Sequence, residues 1–111
     1  MNNIKIGLEV HGYLATKEKL FCRCSNKRDK NVKPNTLVCP VCCGMPGSKP
    51  MLPNSEAVRQ ILKAALMLNC KINNQLIWQR KHYDWPDLPK GYQNTISGTY
   101  AIPVGASGLF Q

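Results

Sequence analysis

Two thiol pairs, Cys22-Arg23-Cys24 and Cys39-Pro40-Val41-Cys42, flank one polar loop in a stretch that has no apolar periodicity of its own. Four sulfurs complete a tetrahedral structural zinc site, and a C-x-C paired with a C-x-x-C is a zinc-ribbon-like spacing. A site closed by Cys22, Cys24, Cys39 and Cys42 leaves no coordination position for substrate, so its work is to shape a surface. The competing reading is a redox pair at Cys39 and Cys42, which should open a helix. Gly44, Pro46 and Gly47 follow at once and favour a turn instead. Cys43 is an adjacent fifth thiol that can compete as a ligand, whereas Cys70 reads as a small buried hydrophobe.

Glu9 and His11 lie two apart in an alternating run, so on a strand they project from one face and can approach one ion or one substrate together. That geometry suits magnesium or a general acid and base, although polar residues also alternate on half-solvated strands with no function. Further on, the run from Arg80 to Gln93 mixes cations, carboxylates and aromatics with Pro86 and Pro89. There Lys81 and Lys90 can neutralise phosphates, and Tyr83, Trp85 or Tyr92 can pack on a base or ribose. The bland alternative makes the aromatics core plugs and the lysines solvated. No G-x-x-x-x-G-K-[ST] phosphate loop occurs, which leaves a Walker-type nucleotide fold unsupported.

The elements that must carry these groups follow from periodicity. Ile4, Ile6, Leu8 and Val10 alternate with Lys5, Gly7, Glu9 and His11, which predicts a strand with one face in the core. Residues 22–53, rich in Lys, Asn, Pro, Gly and Cys, predict an irregular insertion held by a metal. After Pro53, Asn54 or Ser55 can cap a helix with Glu56 in its first turn. Val58, Ile61, Leu62, Ala65, Leu66 and Leu68 form its expected buried stripe, Arg59, Gln60 and Lys63 face outward, and it should end near Asn69. Short strands are expected at Ile72 and at Leu76-Ile77-Trp78, and a fixed loop from Asp84 to Gly91. The fold class is α+β: an antiparallel sheet, a packed helix and a zinc-ribbon-like insertion.

Length and charge bound the reading. The chain has 111 residues, room for one modest domain whose stability should need a staple or a partner. Its 15 Lys and Arg against 6 Asp and Glu give a formal +9, a field suited to nucleic acid, nucleotide phosphates or an acidic partner. Lys17, Lys19, Arg23, Lys27, Arg28, Lys30 and Lys33 crowd one segment; a solvated basic loop is the plainer reading of such a run. Four thiolates and one zinc ion would lower the net charge only to about +7. The start carries no secretory signal and no apolar run reaches the ~18 residues of a membrane span, so a cytoplasmic location is expected, with thiols reduced.

Taken together, Ile6-Gly7-Leu8-Glu9-Val10-His11, the cysteine segment through Cys39-Pro40-Val41-Cys42-Cys43-Gly44-Met45-Pro46-Gly47, and Lys81-His82-Tyr83-Asp84-Trp85-Pro86-Asp87-Leu88-Pro89-Lys90-Gly91-Tyr92-Gln93 closely resemble the B subunits of aspartyl/glutamyl-tRNA amidotransferases. The related archaeal E subunits share the Gly-Leu-Glu-x-His opening but are not similar across the cysteine segment. The likeness weakens at Asn94-Thr95-Ile96-Ser97-Gly98. Gly12-Tyr13, His82 and Asp84-Trp85 also depart from the family's usual residues, without touching the candidate ligands.

The resemblance implies ATP-dependent amidation of Glu-tRNA(Gln) or Asp-tRNA(Asn) in two steps: phosphorylation of the side-chain carboxylate, then displacement of phosphate by ammonia. It implies Glu9 and His11 as magnesium ligands, Lys81 and Lys90 as phosphate contacts, and Tyr83 and Asp87 in orienting roles. It further implies a glutamine synthetase-like cradle domain, an ammonia-supplying amidase (the A subunit), and a small bracing protein (the C subunit). On this reading residues 1–111 are the amino-terminal part of the cradle domain, with the zinc-binding insertion at about 22–53 and the rest of the domain and a tRNA-binding tail lying beyond. Such a piece alone should be inactive. A rival reading is a stand-alone zinc-ribbon RNA-binding module, which has no use for the Glu9/His11 pair or the loop.

Overall fold

The computed structural model describes residues 3–88 and 90–109; Pro89 of the loop motif and the end at Phe110 and Gln111 lie outside the described residues. The elements run α1 (Ser55–Met67), β1 (Lys71–Ile72), β2 (Gln79–His82), β3 (Tyr92–Thr95) and β4 (Gly105–Ala106). This is α+β, but the strands form two separate antiparallel ribbons instead of one sheet. β1 pairs with β4 and β2 with β3. A single bridge, Ile77 to Ile102, continues the β1–β4 ribbon toward the other, within the expected Leu76-Ile77-Trp78 segment.

Helix α1 begins and ends where capping chemistry requires. The Asn54 side-chain oxygen accepts from the backbone N–H of Glu56 at 2.9 Å and of Ala57 at 3.4 Å, which satisfies two of the donors a helix leaves unpaired at its start. At the other end Asn69 adopts φ +55°, and the N–H of Cys70 returns to Ala65 O at 2.9 Å while that of Asn69 bonds Leu66 O at 3.1 Å. This left-handed cap closes the helix near the residue expected from sequence.

The buried apolar side chains among the described residues are few and small: Cys22, Ala57, Ala65 and Val104. They mark two contacts, the cysteine segment against the start of α1 and the β1–β4 ribbon against its end. The second contact is close. A Cβ at Gly105 would stand 2.9 Å from Cys70 Cβ and 3.4 Å from Ala65 Cβ, so glycine lets β4 lie against the helix end. The expected stripe is only partly covered. Ala65 is buried and Val58 and Leu62 half-buried, but Ile61, Leu66 and Leu68 are exposed, because no other described element covers that side of the helix.

The strand expected at Ile4 to Val10 is not formed. Residues 3–16 have no strand pairing, and Ile4, Ile6, Leu8 and Val10 are 80–91% exposed. Alternation makes a strand only when a partner accepts its backbone bonds and covers its apolar face, and no described element does either. The hairpin β2–β3, by contrast, was not expected from sequence. Its strand residues Gln79, Arg80, Lys81 and His82 offer no apolar alternation to read.

Candidate functional site

The cysteine segment folds as two short turns facing each other. A bridge between Glu18 and Ser25, with Lys19 N–H bonding Cys24 O at 3.0 Å and Asn26 N–H bonding Lys17 O at 2.9 Å, folds the first turn around Cys22 and Cys24. The second is a compact turn in which Cys43 N–H reaches Cys39 O at 3.0 Å, Gly44 N–H Val41 O at 3.1 Å and Met45 N–H Pro40 O at 2.9 Å. It is a turn and not a helix start, as Gly44 and Pro46 suggest, and so gives a redox reading no support.

These turns bring the sulfurs of Cys22, Cys24, Cys39 and Cys42 within 4.8 Å of one another, the set picked from spacing. Tetrahedral zinc with Zn–S bonds of about 2.3 Å needs sulfurs about 3.8 Å apart, so a contraction of roughly 1 Å or less closes the site. Four soft thiol donors in two turns fit zinc. Cys22 is buried and the other three half-buried, while Cys43 is exposed and stands outside the cluster. Cys70, half-buried, packs beside Gly105 at the end of α1 and belongs to the fold.

Crowding sorts the thiols electrostatically. Burial, followed by hydrogen bonds shared with Cys39 and Cys22, pushes the Cys24 thiol up to about 12, and burial also raises Cys22. The backbone N–H of Cys42 is the first cause holding Cys39 down to about 7. At Cys42 burial works upward, yet the Cys39 N–H, 3.2 Å from its sulfur, and the Lys19 ammonium outweigh it and leave the thiol low. Lys19 had no assigned role from sequence. Its Nζ donates to Leu37 O at 2.6 Å and approaches Cys42 Sγ at 3.6 Å, placing a cation against the charge a thiolate site accumulates. The contact spans a sequence separation that no local spacing rule reads.

The loop between β2 and β3 is a closed turn. Tyr83 N–H bonds Gly91 O at 2.9 Å, Gly91 N–H bonds Leu88 O at 2.9 Å, and Leu88 N–H bonds Trp85 O at 3.2 Å. Register places Lys81 opposite Gln93 and His82 opposite Tyr92. Side chains alternate between faces, so Lys81 and Gln93 share one side of the ribbon while Arg80, His82, Tyr92 and Asn94 share the other. On the first face Lys81, Tyr83, Asp87, Leu88 and Gln93 line one cavity of about 250 Å³, and Tyr83 Oη donates to Asp87 Oδ2 at 3.3 Å. Three of the residues chosen from sequence therefore meet, joined by Gln93, which the motif contained but for which no role was assigned.

Lys90 does not join them. It is half-buried, its Nζ 5.3 Å from the Tyr92 ring centroid, and it lines a cavity shared with Cys22, Val41 and Cys42. Tyr92 also lies under the Arg80 guanidinium at 4.2 Å, so two cations already use its ring. The two lysines grouped by sequence as phosphate contacts thus stand in different cavities.

Glu9 and His11 do converge: His11 Nε2 lies 3.2 Å from Glu9 Oε1, with both side chains 83% exposed. A carboxylate oxygen suits magnesium well and an imidazole nitrogen less so. Two donors leave most of an octahedral shell to water, phosphate oxygens or further carboxylates. Of the two, the Glu9 carboxylate is the donor whose chemistry matches magnesium. The basic segment, finally, forms a groove of about 250 Å³ lined in part by Lys19, Lys27, Arg28, Lys33, Asn26 and Asn35. None of its lining residues is acidic.

Residues 4–111 match the GatB/GatE catalytic domain family. The chain is 50% identical over 109 residues to a protein of Methanocaldococcus jannaschii named as the B subunit of an aspartyl/glutamyl-tRNA(Asn/Gln) amidotransferase, covering 96% of this chain and 22% of that relative. Proteins of the same name from Methanothermobacter thermautotrophicus, 50% identical over 106 residues, and from Methanopyrus kandleri, 47% over 110, cover 95% and 97% of the chain and 22% and 23% of their own lengths. The chain thus spans less than a quarter of the relatives it matches. Among the described residues no helix is long and apolar enough to cross a membrane.

Proposed function

Since the chain belongs to the GatB/GatE catalytic domain family, with its close relatives named as B subunits, we propose that it is the amino-terminal part of the cradle domain in such a protein, with residues 22–53 as its zinc-binding insertion. The complete enzyme amidates Glu-tRNA(Gln) or Asp-tRNA(Asn) with consumption of ATP, using ammonia delivered by an amidase, its A subunit, in an assembly braced by a small C subunit. The observation that carries the reading is the meeting of Lys81, Tyr83 and Asp87 in one cavity at the β2–β3 hairpin.

The chemistry explains why such a cavity is needed. A carboxylate resists attack by ammonia until one of its oxygens takes the γ-phosphoryl group; ammonia then forms the amide and inorganic phosphate leaves. ATP with magnesium supplies that group and neutralises part of its charge. Lys81 holds anionic oxygens from a strand position paired with Gln93. Tyr83, by donating to Asp87, fixes the carboxylate for a ligand hydroxyl or a bound cation, and Gln93 offers an amide donor and acceptor beside it. Lys90 steadies the hairpin from its other face and, on this reading, reaches phosphate less directly than Lys81. Glu9 and His11 contribute one oxygen and one nitrogen to magnesium, and the apolar run Ile4 to Val10 pairs as a strand with later parts of the full-length protein. The basic groove at Lys27, Arg28 and Lys33 follows the phosphates of the tRNA.

The test uses the complete enzyme with all its partners present. Glu9→Gln and Lys81→Ala should each lower ATP-dependent amidation of Glu-tRNA(Gln) by about 10²-fold or more, as for loss of one charge-stabilising group, while glutamine hydrolysis by the amidase partner persists. Amidation at the parent rate in both variants would remove this pair of sites from the mechanism and favour the RNA-module reading.

A further inference from the structure

We infer that the metal turn is the seat of the β2–β3 hairpin and that Gly44 is its positioning residue, so that occupancy of the thiol cluster sets where Lys90, Tyr92 and, through the shared ribbon, Lys81 stand. This deepens the reading of the hairpin as a nucleotide-handling element and rests on that reading only where ATP is concerned.

Gly44 closes the turn that carries Cys39 and Cys42, and its φ of +66° is a conformation that residues with a side chain rarely adopt. The same residue faces the hairpin. A Cβ there would stand 2.7 Å from Lys90 Cβ and 3.2 Å from Tyr92 Cε1, so glycine is required by contact as well as by backbone angle. Beside this contact Cys22, Val41 and Cys42 from the metal segment and Lys90, Tyr92 and Asn94 from the hairpin enclose a cavity of about 190 Å³. A second contact, Phe21 edge-on to Trp78 at 5.1 Å between centroids, ties the other thiol turn to the chain entering β2. One thiol turn therefore meets the hairpin itself, and the other the residue that leads into it.

Transmission follows from register. Tyr92 and Asn94 on one face and Lys81 and Gln93 on the other belong to the same paired strands, so a shift of the seat moves the Lys81 cavity as one piece. The described core is small and includes no residue of the hairpin, which leaves peripheral contacts such as these to seat the ribbon.

Hydrogen exchange of backbone amides in the full-length protein tests this, read over residues 79–95 with zinc bound and after its removal by a chelator. Exchange there should quicken by about tenfold or more without metal, while amides in the last turns of α1 stay within about twofold. Gly44→Ala and Gly44→Asn, each confirmed to keep one zinc per chain, should quicken the same amides and raise the KM for ATP more than they lower kcat. The asparagine variant tolerates the left-handed angle but still carries a Cβ, which isolates the close approach from the backbone conformation. Unchanged hairpin exchange on metal removal overturns the inference, and so does wild-type exchange in a zinc-loaded Gly44→Asn protein. Faster exchange with an unaltered KM for ATP would leave the seat in place and count against the nucleotide reading alone.

Discussion

Lowering the pH by one unit from neutrality should weaken zinc binding roughly a thousandfold. The magnitude comes from the protonation state of the empty cluster. At pH 7, Cys24, pushed up to about 12, and Cys22, also raised, each hold a proton. Cys39, held at about 7, is protonated in about half of the molecules, and Cys42, shifted downward, adds between none and one. Zinc takes four thiolates, so binding releases between about 2.5 and 3.5 protons, and the slope of log affinity against pH equals that number. The sign follows directly: acid refills the thiols, competes with the metal and lowers affinity, with the slope steepening toward about four as Cys39 and Cys42 also protonate. Competition with a chromophoric chelator of known acidity between pH 6 and 8 gives the slope. Titration calorimetry in two buffers of different ionisation enthalpy counts the protons independently. Fewer than two protons released at pH 7 would refute the reasoning, since the raised thiols Cys22 and Cys24 would then not be zinc ligands.

Asn54 is expected to matter twice, because its oxygen caps α1 while its Nδ2 donates to Glu18 O at 3.0 Å across to the cysteine segment. Asn54→Ala should cost about 2 kcal/mol in urea unfolding, one part from the cap and one from the bridging bond, and Asn54→Asp, which keeps the cap, about half of that. Equal losses in the two variants would show that the cap contributes nothing, and an Asn54→Asp protein as stable as the parent that the bridge contributes nothing. Replacing Lys27 and Lys33 together by Ala should weaken tRNA binding by the complete enzyme and reduce the slope of log affinity against log salt by up to about two, with zinc content unchanged. An unchanged slope would take the groove out of the RNA contact.

Legibility in the sequence followed the range of the interactions. The thiol cluster, the caps of α1 and the irregular metal segment were readable because each depends on residue type at short spacing: Cys pairs, Asn54 before Ser55 and Glu56, glycine and proline after Cys42. The β2–β3 ribbon was not, since Gln79 to His82 are polar on both faces and its pairing is set by the turn at 83–91 and by packing on Gly44. The arm at Ile4 to Val10 shows the opposite failure. Its alternation is clear, but a strand is a property of two chains of backbone, and the second is not among the described residues. Lys90 and Lys81 were grouped by motif, and the fold separates them: Lys81 stands on β2, Lys90 in the turn that lies against Gly44. Lys19 came to light only when folding set its ammonium beside Cys42.

The placement of the two tryptophans gives this chain a built-in optical readout. Trp78, half-buried against Phe21, sits beside the thiol segment, while Trp85, 70% exposed, stands on the loop that supplies Tyr83, Asp87 and Leu88 to the Lys81 cavity. Emission from the first should be blue-shifted and sheltered from a dissolved quencher, and that from the second red-shifted and open to it. Changing either indole to Phe leaves a lone chromophore that follows metal loading or ligand arrival separately, with no dye attached.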